Sequence, residues 1–124
     1  MSLTIKKIPE MEFYLGPSGI LKAYQCAPAV SDYATGGYLI TPQQVGMSKI
    51  IGATQLGQEY NSSGAVDWKT SLPAAAYSNP PAEGSTTGIY LAAYQAPGSA
   101  GNLTEVSANT DVSAYPVWLL FLGY

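Results

Sequence analysis

Proline and glycine punctuate this chain from end to end, and that spacing decides what it can build. Thirteen glycines and nine prolines are spread through 124 residues. Proline removes a backbone donor and clashes with the preceding helical turn; glycine loses the most backbone freedom on ordering. Few windows remain that could hold three turns of helix. Alternation with a period of two recurs instead, the pattern of a strand buried on one face. "SLTIKKI" puts Leu3 and Ile5 on one face and Thr4, Lys6 and Ile8 on the other. "LKAYQC" sets Leu21, Ala23 and Gln25 against Lys22, Tyr24 and Cys26. "AVDWKTSL" sets Val66, Trp68 and Thr70 against Asp67, Lys69 and Ser71, and "GIYLAAYQA" sets Ile89, Leu91 and Ala93 against Tyr90, Ala92 and Tyr94. "SKIIGAT" and "LTEVSA" add shorter strands, and "NSSG" at Asn61–Gly64 reads as a hairpin loop. In "LPAAAYSNPP" the helix formers Ala74–Ala76 are stopped by Pro80 and Pro81, leaving a loop with room for one turn.

The expected fold is therefore all-β, an antiparallel β-sandwich or flattened barrel. Residues 78–88 and 96–102 are its long Pro/Gly/Ser-rich loops, and an extended N-terminal arm precedes it. Two units are expected: a strand or arm over 1–14 and a single β domain over 15–124. Pro9 to Ala34 reads as largely irregular and linker-like, around Pro17 and Pro28. The last strand, "VWLLFLGY", is apolar on both faces. Val117, Leu119 and Phe121 point one way, and Trp118, Leu120 and Leu122 the other. One face belongs to the core. The other needs a second sheet layer or a neighbouring subunit.

The side chains on offer exclude much chemistry. There is no histidine, which removes the commonest general base and the usual nitrogen ligand of zinc. Cys26 is the only cysteine, so an internal disulfide and a Cys–His pair are both ruled out, and a buried small hydrophobe is expected there. Glu10 and Glu12 alternate along an extended segment, while Asp32, Glu59, Asp67, Glu83, Glu105 and Asp111 are scattered, with no oxygen ladder of the calcium-loop kind. The expectation is a protein that is not an enzyme and takes no metal or cofactor. Charged residues make up 10% of the chain, where roughly a quarter is usual. Arginine is missing, and of the five lysines only Lys6 and Lys7 are adjacent. A nucleic-acid groove needs clustered cations, as does an anionic membrane surface, so neither partner is expected. "MSLTIKKIPE" lacks the apolar run of a signal peptide, and Val117–Leu122 is too short to span a bilayer, which points to a chain made in a cytoplasm. Tyrosine, at ten copies, suits protein interfaces and sugar platforms alike.

The most organised stretch is "YATGGYLITPQQVG". Gly36-Gly37 permits a bend that side chains would forbid. Thr41 is suited to an N-cap, Pro42 to a first helical position and Gly46 to a helix end, so Pro42–Val45 reads as one capped turn leading into a strand. No catalytic group is left over. The order of features, Tyr33, Thr35, Gly36, Gly37, Ile40, Thr41 and Gly46, resembles the small virion proteins of tailed phages encoded beside the major capsid protein, which decorate or cement the head. The resemblance continues through "AVDWKTSL" and the closing "TEVSANTDVSAYPVWLLFLG", over roughly Tyr33 to Gly123; the first thirty residues and the middle loops fall outside it.

That resemblance implies a structural, non-enzymatic role on the outer surface of a capsid, after synthesis in the host cytoplasm. The implied partners are the major capsid protein and further copies of the chain, as a trimer. Within that picture Leu3, Ile5, Ile8, Phe13 and Tyr14 would anchor the N-terminal arm on the shell or on a neighbour. Trp118, Leu120 and Leu122 would lie near the subunit seam. Residues 2–8 pairing inside their own sheet is the open alternative to an arm. A different class also stays open: a carbohydrate- or receptor-binding β module of a head fibre or tail. Aromatics buried at seams would favour the first role, and aromatics lined up on an exposed face the second.

Overall fold

The structure, a computed structural model, describes residues 3–14, 16, 19–58, 66–72, 87–95 and 103–124, with 9–11 as backbone only. The strands are β1 (Leu3–Tyr14), β2 (Ile20–Pro28), β3 (Tyr38–Ile40), β4 (Ile50–Gln58), β5 (Asp67–Ser71), β6 (Ile89–Gln95), β7 (Thr104–Glu105) and β8 (Val117–Gly123). They form two antiparallel sheets. The first has the order β1-β2-β8-β4; the second has the order β3-β6-β5, with β7 also pairing β6. No strand pair links the two sheets among the described residues, so of the two expected forms the chain adopts the sandwich. The expected hairpin loop at Asn61–Gly64, the turn at Ala74–Ala76, the loop at 96–102 and most of 78–88 lie outside the described residues.

The period-two grouping of side chains holds, and the structure shows which group turns inward. Val117, Leu119 and Phe121 of β8 are fully buried, as are Cys26 of β2 and Leu91 and Ala93 of β6; Trp68 of β5 is nearly so. These inner faces meet in one core with Tyr33, Val45, Val106 and Val112, which the loops carry in. The buried polar tips are matched. Trp68 Nε1–H donates to the Tyr115 carbonyl at 2.9 Å, and the Tyr24 hydroxyl to the Val45 carbonyl at 3.0 Å. Burial pushes the Cys26 thiol up to about 12, which keeps it protonated as a small hydrophobe.

The described residues 3–14 do not stand apart as an arm but take the alternative of pairing within their own sheet: β1 is the edge strand of the first sheet, paired to β2 from Leu3↔Pro28 to Tyr14↔Ile20. Nor is Pro9–Ala34 irregular, because it contains the end of β1 and all of β2. The cause is the same in both cases. Proline forbids a central strand but is tolerated at an edge or a bulge. Here the register shifts between Lys7 and Glu12, and the strand passes through Pro9 in that irregularity.

The Gly-Gly bend and the capped turn are as expected. Gly36 and Gly37 have φ of 96° and 91°. Gly37 lies so close to β6 that a Cβ there would collide with the Leu91 carbonyl. Pro42–Val45 is a single 3-10 turn, the one helical element among the described residues. It ends at Gly46 in the left-handed region, with φ 66°. Its start is tied by the Thr41 N–H, which donates to Gln44 Oε1 at 2.8 Å.

Candidate functional site

Four carboxylates among the described residues bond within the fold. Glu105 Oε1 accepts from the Tyr33 hydroxyl at 2.7 Å and from the Gly36 N–H at 2.6 Å. Asp32 Oδ1 accepts from the Tyr38 hydroxyl at 2.8 Å. Asp111 Oδ1 accepts from the Ser113 N–H and hydroxyl, and the hydroxyl bond above all holds its carboxyl below the usual range. Glu12 bridges Lys7 at 2.9 Å and Lys22 at 3.2 Å. Lys22 sits on the inner side of β2, a costly place for an ammonium. Its Nζ is held there by Glu12 and by the Gly46 carbonyl at 3.1 Å. Among the described residues no three His, Cys, Asp or Glu side chains gather as a metal site would require.

What remains is a surface. Residues directly opposed in antiparallel strands point to the same face. The register runs Phe13↔Leu21, Leu21↔Leu122 and Gly52↔Leu122, and the next row runs Ala23↔Leu120 and Thr54↔Leu120. On the outer side of the first sheet the row Phe13, Leu21, Leu122, Gly52 therefore carries no polar side chain, the next row adds Ala23 and Leu120 beside the exposed Thr54, and the row of Trp118 holds Gln25 and Lys6. Phe13 is 50% exposed, and Leu21, Trp118, Leu120 and Leu122 are half-buried. A hollow of about 290 Å³ opens on it, lined by Leu21, Gly52, Ala53, Thr54, Leu120 and Leu122.

Of the residues expected to meet a partner, Phe13, Trp118, Leu120 and Leu122 share this face. Leu3 and Ile5 do not: they point inward and pack against the core, so they cannot anchor an arm. Ile8 is half-buried within the register shift of β1. Tyr14 is 70% exposed, but by register it lies on the opposite side from Phe13. Sequence reading missed Leu21 and Gly52. The alternation of "LKAYQC" already placed Leu21 outward; only the pairing of β2 with β8 puts it beside Leu122.

These features define a small two-sheet antiparallel β-sandwich with one apolar outer sheet face. Comparison of the chain with protein-family models, with curated proteins and with solved structures finds no match.

Proposed function

We propose that this chain is a structural protein that acts by protein–protein contact, decorating and cementing the outer surface of a tailed-phage capsid against the major capsid protein. The observation that carries the reading is the outer face of the first sheet. Trp118, Leu120 and Leu122 repeat along β8 where a strand facing only water would carry polar side chains. A contiguous apolar patch of this kind marks an interaction site. The resemblance from Tyr33 to Gly123 supplies the capsid as the setting. The test is co-sedimentation with shells assembled from the major capsid protein encoded beside it. The wild-type chain should pellet with shells, and Leu120→Lys, which puts a charge in the middle of the patch, should stay in the supernatant. Equal pelleting of both would refute a contact through this face.

One observation favours a second reading as a carbohydrate- or receptor-binding module. Tyr90 and Tyr94 alternate with buried residues on the outer side of β6, opposite Ser71 and Asp67 of β5. Two half-buried aromatics on one sheet face, with Ser71 and Asp67 opposite them, can serve as a sugar platform. Lys69 Nζ lies 5.1 Å from the centre of the Tyr94 ring and would have to swing aside. Binding to an oligosaccharide array that Tyr90→Ala and Tyr94→Ala each abolish would favour this reading over the first.

A further inference from the structure

We infer that the outer face of the first sheet packs on the same face of a second copy of this chain, about a two-fold axis running along the strands between β2 and β8. This rests on the reading of that face as a protein contact: off the shell a second copy covers it, and on the shell the capsid protein takes that copy's place.

The face is self-complementary along one row. Phe13, Leu21, Leu122 and Gly52 lie side by side across β1, β2, β8 and β4. At one margin Phe13 projects, 50% exposed. Toward the other, a Cβ added to Gly52 would meet nothing within 4 Å, and the hollow of about 290 Å³ runs from β4 over β8 as far as Leu21 of β2. Knob and hole thus sit at the same height toward opposite edges of the sheet. A two-fold along the strands exchanges the edges: β1 lies over the partner's β4, and β2 over its β8. Each copy's Phe13 then enters the other's hollow, and each Leu21 meets a Leu122. Stacked sheets lie roughly 10 Å apart, which suits interdigitated side chains. The usual angle of about 30° between stacked, twisted sheets only tilts the axis.

Charge and area agree with this pairing. The paired rows of the face carry one charged side chain, Lys6, at the β1 margin. The two-fold keeps the two Lys6 side chains on opposite margins, about 14 Å apart across three strand spacings. The free edge of β1 is a poor alternative, since Lys6, Lys7 and Pro9 are residues that discourage strand addition. Four strands of about seven residues present on the order of 500 Å² per copy. The pair buries on the order of 1,000 Å², the lower limit for a specific interface, so the dimer forms reversibly with concentration.

The experiment is sedimentation equilibrium of the full chain from micromolar to millimolar. The mass should rise from monomer to dimer. Gly52→Trp fills the hollow where the fold leaves room, so it should remain monomeric at millimolar concentration with an unchanged melting temperature. The double variant Phe13→Cys/Gly52→Cys should give an oxidised, covalent dimer, and neither single variant should do so. A chain that stays monomeric, a trimeric mass, a Gly52→Trp protein that still dimerises, or cross-linking by Phe13→Cys alone would each overturn the pairing. Shell binding separates this from the reading beneath it. A monomer whose shell binding is lost in Leu120→Lys overturns the two-fold pairing alone. Unchanged shell binding in Leu120→Lys overturns the capsid contact, and sedimentation still decides the pairing.

Discussion

The Tyr33 hydroxyl donates to Glu105 at 2.7 Å and accepts from the Ala93 N–H at 3.0 Å, so one buried phenol joins the loop before β3 to both β7 and β6. Glu105 also takes the Gly36 N–H, which fixes the Gly-Gly bend to the same carboxylate. Tyr33→Phe keeps the ring and removes both of these hydroxyl bonds. The buried Ala93 N–H then loses that acceptor, and the substitution should cost about 1–3 kcal/mol in urea unfolding. Glu105→Gln keeps an acceptor in place and should cost less.

Gly36 and Gly37 share a left-handed φ but not their surroundings. A side chain at Gly36 meets nothing within 4 Å, whereas one at Gly37 collides with β6 backbone. Gly36→Ala should cost about 1 kcal/mol, the conformational term alone. Gly37→Ala adds a clash that no rotamer relieves and should cost at least about 3 kcal/mol or prevent folding. Equal effects in thermal unfolding would mean that the close approach of the bend to β6 is unimportant.

Which residues share a face was legible from alternation in β2, β5, β6 and β8, and the Pro42–Val45 turn from its Thr-Pro start and Gly end; which face of β8 turns inward was not, because both are apolar. Nor were strand neighbours. A period of two assigns a face but says nothing about which strand lies alongside, and β2 pairs with β8 across most of the chain. This hid the row that brings Phe13, Leu21, Leu122 and Gly52 together. The fate of β1 was hidden for another reason: Pro9 and the charges around it suit a free arm and a protected sheet edge equally well. Alternation puts Lys22 on the same side as Tyr24 and Cys26. Why a lysine is tolerated there depends on Glu12 and the Gly46 carbonyl, which only the fold brings within reach.

The ion pairs of Glu12 set an acid limb. Its carboxyl is held below the ordinary value of 4.5, first by the hydrogen bond from Lys7 and then by that from Lys22. A group whose pKa is depressed in the fold contributes stability above its unfolded value and loses it as pH falls through the folded one. Stability should therefore decline as pH drops below about 4.5. Glu12→Gln should flatten this limb, and added salt should weaken it, since the Lys7 partner is open to solvent. A decline of the same size in Glu12→Gln would assign the limb to other carboxylates.

The buried phenols set an alkaline limb. Desolvation, helped by the bond to a carboxylate, raises both Tyr33 and Tyr38 above the ordinary value of 10.0. A raised pKa contributes stability that is complete below the unfolded value and is lost as pH rises toward the folded one. Stability should fall once pH passes about 10, and the phenolate absorbance of these two residues should appear only with unfolding. Tyr33→Phe/Tyr38→Phe should lessen the slope. Two tyrosines that ionise in the folded protein near pH 10 would contradict their burial.

The two tryptophans should separate the core from the contact face. Trp68 lies inside the sandwich at 4% exposure, with its ring near Tyr38 and its Nε1–H on the Tyr115 carbonyl. Trp68→Ala removes a large filled volume and should cost about 3–5 kcal/mol. Trp68→Phe, which loses the hydrogen bond and part of the ring, should cost about 1–2 kcal/mol. Trp118 lies on the other side of β8 from Val117 and Leu119 and is half-buried. In the dilute chain, Trp118→Ala uncovers part of a ring rather than a core cavity, and should cost about 1–2 kcal/mol. Its larger effect should be seen at high protein concentration or on shells, where the face is covered: there the mutant should associate more weakly while Trp68→Phe behaves as wild type. A dilute Trp118→Ala protein as unstable as Trp68→Ala would show that the ring is already covered within one chain, and the outer face would lose its claim as the contact surface.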